Sequence, residues 1–130
     1  MEEGTKGLTV DELKKKYRGN MRALNMDHET LIERVLAAEE GLITSHRALL
    51  DEFEVGASEQ RTLLEDVEQP GSDVKLYLAE AGSIIEQQIT ELTKLRQKML
   101  KFEADLVTEE NMSAIVGEIT QDAVPTLAAN

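Results

Sequence analysis

The chain has 130 residues, a formal net charge of −12 and no cysteine. This length allows one domain at most, the absence of cysteine excludes disulfide frameworks and zinc–thiolate sites, and the acidity opposes binding to nucleic acid and to anionic membranes. Only four residues are aromatic, so a core must consist of Leu, Ile, Val, Ala and Met. Together with abundant Glu, Lys, Gln and Arg, this composition predicts an all-α fold.

The charge is distributed unevenly along the sequence. Residues 1–22 hold six basic and four acidic side chains, whereas residues 23–130 hold eight basic and twenty-two acidic ones. The basic cluster KKKYR at 14–18 is typical of a solvated helix face. We therefore expect no nucleic acid partner. We also expect no membrane association, because every apolar run is far shorter than a membrane span.

Residues 1–8 are predicted to be a disordered or tag-like N-terminus, and a first helix is expected over about 9–25. Thr9 and Glu12 match a capping box, in which the side chain of each residue bonds the backbone amide of the other. Apolar residues follow at helical spacing, which supports the assignment.

A much longer second helix is predicted over about 28–67, with Asp27 as its N-cap. Over five heptads it carries two adjacent apolar columns and one mixed column. This stripe is wider than the seam of a simple two-stranded coiled coil and is typical of a helix that contacts more than one neighbour. The apolar columns include Leu42 and Leu49, and Ile43 and Leu50, while the mixed column includes His46 and Phe53.

The sequence QPG at 69–71 interrupts the helical period. Pro70 biases the preceding residue away from helical angles, and Gly71 can adopt the positive φ that a reversal needs. Asp73, or Ser72 before it, is expected to cap a third helix over about 73–106. The heptads of this helix include Ile85, Leu92, Leu95, Met99 and Phe102.

A short fourth helix is expected over about 109–121, after the candidate cap Thr108. Its apolar face would consist of Met112, Ile115, Val116 and Ile119. Residues 124–130 are predicted to be a frayed tail. A single helical domain would thus span 9–123.

The second and third helices have similar lengths and a short connection, as is usual for antiparallel neighbours. We therefore predict a long antiparallel hairpin, like a coiled coil or bundle, with shorter flanking helices. Residues whose numbers sum to roughly 141 would lie level across it. This register places Leu49 near Leu92, Leu42 near Met99, and Gly56 near Ile85.

The sequence holds no pattern of a catalytic or cofactor site. It contains neither GxxxxGK[ST] nor GxGxxG. The DHE sequence at 27–29 is typical of a solvated helix start, and His46 has no second His or Cys to complete a metal site. Polar residues inside the seam are instead expected to fix register and partner choice; these residues are Glu39, His46, Gln60 and Gln88. We expect no enzyme activity and no cofactor.

Three stretches carry a combination of motifs: EEGLITSHRALLDE at 39–52, LLEDVEQPGSDVKLYL at 63–78, and IIEQQITELTKLRQKMLKFEADL at 84–106. The first contains an E-E-x-L-I-x-x-H-R core, the second a Q-P-G turn, and the third is rich in Ile, Gln and Leu. Over about 30–106 this combination resembles the region after the motor in the kinesin-13 family. Glu68 stands where that family often has Asp, which leaves the charge unchanged.

The resemblance implies a tail and not a motor. Kinesin-13 proteins are microtubule depolymerases whose ATPase lies in a motor domain that this chain lacks. Their C-terminal helical region is associated with dimerisation and with regulation of the motor by tail contacts. The resemblance thus implies a cytoplasmic, cytoskeletal protein of microtubules and the spindle, with the kinesin motor domain or its basic neck as a partner. Because tubulin is acidic, the acidic body is not expected to bind microtubules directly.

Two alternatives stay open at the level of sequence. The chain could be an unrelated helical-bundle adaptor or scaffold of a cytoskeletal or trafficking protein. It could also form a closed four-helix monomer, although we expect a homodimer, because the flanking helices are too short to cover the whole apolar stripe. The expected interface residues are Leu42, Ile43, His46, Leu49, Leu50, Phe53, Ile85, Leu92, Leu95, Met99 and Phe102, with Pro70 and Gly71 as the hinge.

Overall fold

The computed structural model describes the backbone of residues 6–128 and the side chains of residues 6–118. Over this range the chain forms three α-helices and no strand: α1 is Val10–Tyr17, α2 is Met21–Val67 and α3 is Val74–Ala128. Helices α2 and α3 pack against each other as a helical hairpin, which confirms the predicted fold class.

The contacts divide the chain into two compact units. We call residues 1–40 and 99–130 the three-helix unit, and residues 41–98 the hairpin unit. No helix in the described part of the chain is long and apolar enough to cross a membrane.

The start of α1 follows the predicted capping box. The Glu12 amide donates to Thr9 Oγ1 at 3.1 Å, and the Thr9 amide donates to Glu12 Oε1 at 3.2 Å. These two bonds satisfy amides that a helix leaves without a partner in its first turn. The main chain just before this cap is also held in place, since the Leu8 amide donates to Thr108 Oγ1 at 2.9 Å. Residues 1–5 of the predicted disordered N-terminus lie outside the described residues.

The predicted boundary between the first two helices was wrong. Helix α1 ends at Tyr17, because Arg18 and Gly19 adopt left-handed φ values of 44° and 82°. Gly19 takes this conformation without the steric penalty of a Cβ atom. Asn20 then caps α2, and its Oδ1 accepts from the Ala23 amide at 3.1 Å. Asp27, the predicted N-cap, lies inside α2.

The connection between α2 and α3 has the predicted turn geometry. Gly71 has a φ of 74°. Asp73 is the N-cap of α3, and its Oδ1 accepts from the Leu76 amide at 3.1 Å. Ser72 has a different role, since its hydroxyl donates to the Val67 carbonyl at 2.7 Å.

The predicted break between a third and a fourth helix is also wrong. Helix α3 is continuous through Thr108, whose hydroxyl donates to the Ala104 carbonyl one turn earlier at 3.0 Å. A threonine can satisfy its hydroxyl in this way inside a helix, and no Gly or Pro is nearby to end it. The backbone stays helical to Ala128, through most of the predicted tail, and residues 129–130 lie outside the described residues.

The three-helix unit has an apolar core to which all three helices contribute. Leu13 of α1 and Leu24 of α2 are almost completely buried. Met112 and Ile115 of α3 are buried against them, as their predicted common face requires, while the side chain of Ile119 lies outside the described residues. The whole buried cluster is Leu13, Leu24, Leu31, Val35, Met112 and Ile115.

Candidate interaction surface

The seam of the hairpin unit is thin. Its buried apolar side chains are Leu49, Ala81 and Leu95, and Gly56 is buried with them. A two-helix pair can bury only one face of each helix, so many apolar side chains of this unit stay exposed in the single chain. The hairpin unit therefore has little internal core of its own.

The contacts across the seam define its register. Lys98 Nζ lies 3.3 Å from Ser45 Oγ, and a Cβ atom built on Gly56 would lie 3.6 Å from Cγ2 of Ile84 and 2.9 Å from Nε2 of Gln88. The residue numbers in these pairs sum to between 140 and 144. The alignment is close to the expected one, but Gly56 faces Ile84 and Gln88 and not Ile85.

Two of the four predicted polar residues of the seam lie in it. Gln60 and Gln88 are half-buried, and Gln60 Nε2 donates to Gln88 Oε1 at 3.4 Å. His46 is exposed and does not lie in the seam, because Ser45 takes the position that faces α3. Its place at an interface with another chain stays a prediction. Glu39, in the three-helix unit, is likewise exposed. An α-helix has 3.6 residues per turn, so a column of strict seven-residue spacing drifts away from the neighbouring helix.

An exposed apolar stripe runs along each helix of the hairpin unit, directly beside the seam. We call these six residues the apolar flank; each exposes between 45% and 62% of its surface. On α2 and α3 they recur at multiples of seven residues. The apolar flank consists of Ile43, Leu50 and Leu64 of α2, and Leu78, Ile85 and Leu92 of α3.

Helical geometry places both halves of the apolar flank on the same side of the seam. Leu50 follows the buried Leu49, and Ile85 follows Ile84, which faces Gly56. One residue corresponds to a rotation of about 100° around a helix axis. In an antiparallel pair, the positions one residue beyond the seam on the two helices point to the same side. In the observed register Leu50 is level with Leu92, so their stripes form one surface.

The sequence-predicted interface residues fall into three groups. Leu49 and Leu95 are buried in the seam, and Leu42 and Phe53 are half-buried there. The exposed members of the hairpin unit are Ile43, His46, Leu50, Ile85 and Leu92. In the three-helix unit, Met99 is exposed, whereas Phe102 packs against the core cluster.

A groove lies on the opposite side of the seam from the apolar flank. It has a volume of about 430 Å³, and apolar atoms of Phe53, Gly56 and Ile84 line it. Three carboxylates, those of Glu52, Glu59 and Glu91, also line it. Sequence reasoning missed this groove. The one signal of it in the sequence was Gly56, because a residue without a side chain leaves space beside a helix. That signal indicates a groove only when the α3 residues that face Gly56 are known.

Two features of the described residues bear on metal binding and acid–base chemistry: the grouping of their His, Cys, Asp and Glu side chains, and one His–Ser–Glu contact. No group of three or more His, Cys, Asp or Glu residues among them could hold a metal ion. In the three-helix unit, His28 Nε2 lies 3.1 Å from Ser113 Oγ, whose hydroxyl donates to Glu109 at 3.2 Å. In a catalytic triad the acid orients the histidine, whereas here the carboxylate binds the serine. His28 is half-buried where α2 contacts α3, whereas Asp27 and Glu29 are exposed, as predicted for this sequence. The predicted helix start at this position was wrong, because α2 begins at Met21.

Comparison with known proteins identifies a partial relative. Over 82 residues, the chain is 28% identical to the kinesin-like protein KIN-13A of rice, Oryza sativa subsp. japonica. The match covers 63% of this chain and 10% of that protein, so the chain spans about a tenth of the length of the relative. No family model and no solved structure matches the chain. These findings support a relation to kinesin-like proteins.

Proposed function

We propose that this chain is a non-catalytic dimerisation and regulatory module of a kinesin-13-like microtubule depolymerase. It associates with a second copy through the apolar flank and contacts the motor or neck of its own protein. The apolar flank is the observation that carries this proposal. The similarity to a kinesin-like protein and the E-E-x-L-I-x-x-H-R and Q-P-G motifs support the choice of family. A cytoskeletal location on microtubules follows from the same proposal.

Burial of the apolar flank supplies the driving force for association. Its six side chains lie on one side of the seam, and each exposes between 45% and 62% of its surface. Exposed apolar patches of roughly a few hundred Å² are at the upper end of what monomeric proteins leave uncovered. At about 25 cal/mol per Å², covering such a patch stabilises the complex by several kcal/mol before the entropic cost of association. Because the patch lies on one side of a two-helix unit, a second copy related by a two-fold axis can cover both stripes at once.

Helix α1 and the C-terminal part of α3 contribute to the core of the three-helix unit, which favours a dimer over a closed four-helix monomer. Leu13 of α1 and both Met112 and Ile115 of α3 are buried in the core of the three-helix unit. These side chains could have covered the apolar flank within one chain, but they are already buried in this core. The flank residues of the hairpin unit stay exposed in the single chain.

The regulatory part of the proposal is tested with an isolated kinesin-13 motor domain including its basic neck. We expect this protein to bind the chain in a titration followed by fluorescence anisotropy, and the affinity to fall as salt rises, because the chain is strongly acidic. A motor domain of an unrelated kinesin family serves as the control. Equal binding of both motors, or no binding of either, would leave an adaptor or scaffold as the better assignment.

A further inference from the structure

The groove beside Gly56 combines features of a peptide-binding surface. Phe53 and Ile84 are half-buried and offer apolar atoms at its base, and Val55 at its edge is 60% exposed. A groove with apolar atoms at its base and charges around them can accept the aliphatic stem of a long side chain and hold its charged head. Its shape alone does not select an occupant.

The charges around the groove select a cationic occupant. Glu52 and Glu59 form no hydrogen bond or ion pair with any residue of the described range. Glu91 accepts a hydrogen bond from Gln87 Nε2 at 3.1 Å and lies 3.7 Å from Lys94 Nζ. Both contacts use its Oε1, so its other carboxylate oxygen can still accept a hydrogen bond. All charged side chains that line the groove are thus carboxylates, and two of the three have no partner among the described residues. Exposed carboxylates at this spacing favour Arg or Lys side chains over any anion.

We infer that this groove binds a basic, amphipathic helical segment of a partner protein. Its apolar residues contact Phe53, Val55 and Ile84, and its Arg or Lys side chains pair with Glu52 and Glu59. The net charge of −12 steers such a segment toward the chain. The inference rests on the proposed function in one respect, because it assigns the contact with a basic motor or neck to this groove. The apolar flank on the other side of the seam stays available for the second copy.

The test uses a fluorescently labelled synthetic helix of about four turns with leucine and arginine at amphipathic spacing. Binding to the full chain is followed by anisotropy, with Glu52→Gln/Glu59→Gln as the test variant. Glu54→Gln/Glu65→Gln is the matched control, since it removes the same charge from exposed positions of α2 away from the groove. We expect the test variant to weaken binding roughly tenfold, and the control to weaken it less than about twofold.

The outcomes separate this inference from the proposed function. Equal weakening in the two variants, or none in either, would overturn the groove assignment and leave only a general attraction between opposite charges. A peptide with glutamate in place of arginine must not bind. If the wild-type chain is monomeric but the test variant still loses the peptide, the dimerisation proposal fails and the groove inference stands. If the chain is dimeric and the peptide does not bind, the groove inference fails and the dimerisation proposal stands.

Discussion

Gly56 of α2 faces Gln88 of α3 so closely that a Cβ atom on Gly56 would stand 2.9 Å from Gln88 Nε2. The same Gln88 accepts a hydrogen bond from Gln60 through its Oε1. The absence of a side chain at position 56 thus gives the amide pair its place in the seam. Gly41 of the same helix has no atom within 4 Å of its corresponding Cβ position.

This contrast predicts different outcomes for two identical substitutions in α2. Gly41→Ala should raise the free energy of unfolding by about 1 kcal/mol, because alanine favours a helix and meets nothing there. Gly56→Ala should gain markedly less or lose stability, because Gln88 must move and its bond to Gln60 weakens. Urea unfolding of both variants measures the difference. An equal gain at both positions would show that displacing the Gln88 amide costs nothing, and would contradict its assigned role in the seam.

Two hydrogen bonds between α3 and the main chain of Leu8 predict a loss of stability when they are removed from the three-helix unit. The Leu8 amide donates to Thr108 Oγ1, and the Leu8 carbonyl accepts from Asn111 Nδ2 at 2.7 Å. We expect Thr108→Val/Asn111→Leu to cost roughly 1–2 kcal/mol of stability, since each lost bond contributes about 1 kcal/mol. The exchange of the Leu8 amide hydrogen should also become faster than in the wild type. Exposed Asn25→Ala is the control, and unchanged exchange at Leu8 in the double variant would contradict the assignment.

The hydroxyl of Tyr17 predicts a pH dependence. It donates to Asp27 Oδ2 at 2.6 Å; desolvation, with this bond and the Asp27 charge, raises the pKa of Tyr17 from 10.0 to about 12. The fold therefore favours the protonated phenol. Its contribution to stability is fully present below pH 10 and is lost as the pH rises through about 12.

An absorbance titration of the phenolate tests this pKa. The chain has one other tyrosine, so the difference between the wild type and Tyr17→Phe isolates Tyr17. We expect a midpoint near pH 12, and Asp27→Asn should move it back toward 10. A midpoint of about 10 in the folded wild-type chain would refute the effect of Asp27 on the hydroxyl.

Local sequence signals were reliable where one residue type has a specific backbone role. The capping box of Thr9 and Glu12 and the turn at Gly71 follow from the chemistry of those residues alone. The start of α2 was missed although Gly19 and Asn20 provide a C-terminal signal and a cap. The apolar periodicity that continues on both sides of them outweighed these two residues.

The faces of the long helices were harder to predict. Ile84 and Ile85 are adjacent and equally apolar, so the sequence does not distinguish which one faces Gly56. The same ambiguity affects Ser45 and His46. The seven-residue column predicts that His46 faces α3, but the column drifts around the helix and Ser45 takes this position. Only the packing of α3 on α2 decides these choices. The groove beside Gly56 depends on the same choices, and this is why sequence reasoning did not find it.

The molar mass of the chain in solution, measured by light scattering across the micromolar range, tests dimerisation through the apolar flank most directly. We predict twice the chain mass of 14.5 kDa for the wild type, and a return to the single mass in Ile43→Gln/Leu50→Gln/Leu92→Gln with helicity retained. Leu76→Gln, an exposed leucine of α3 away from the flank, should remain dimeric. A wild-type chain that stays at 14.5 kDa at high micromolar concentration, or a flank variant that stays dimeric, would contradict the account.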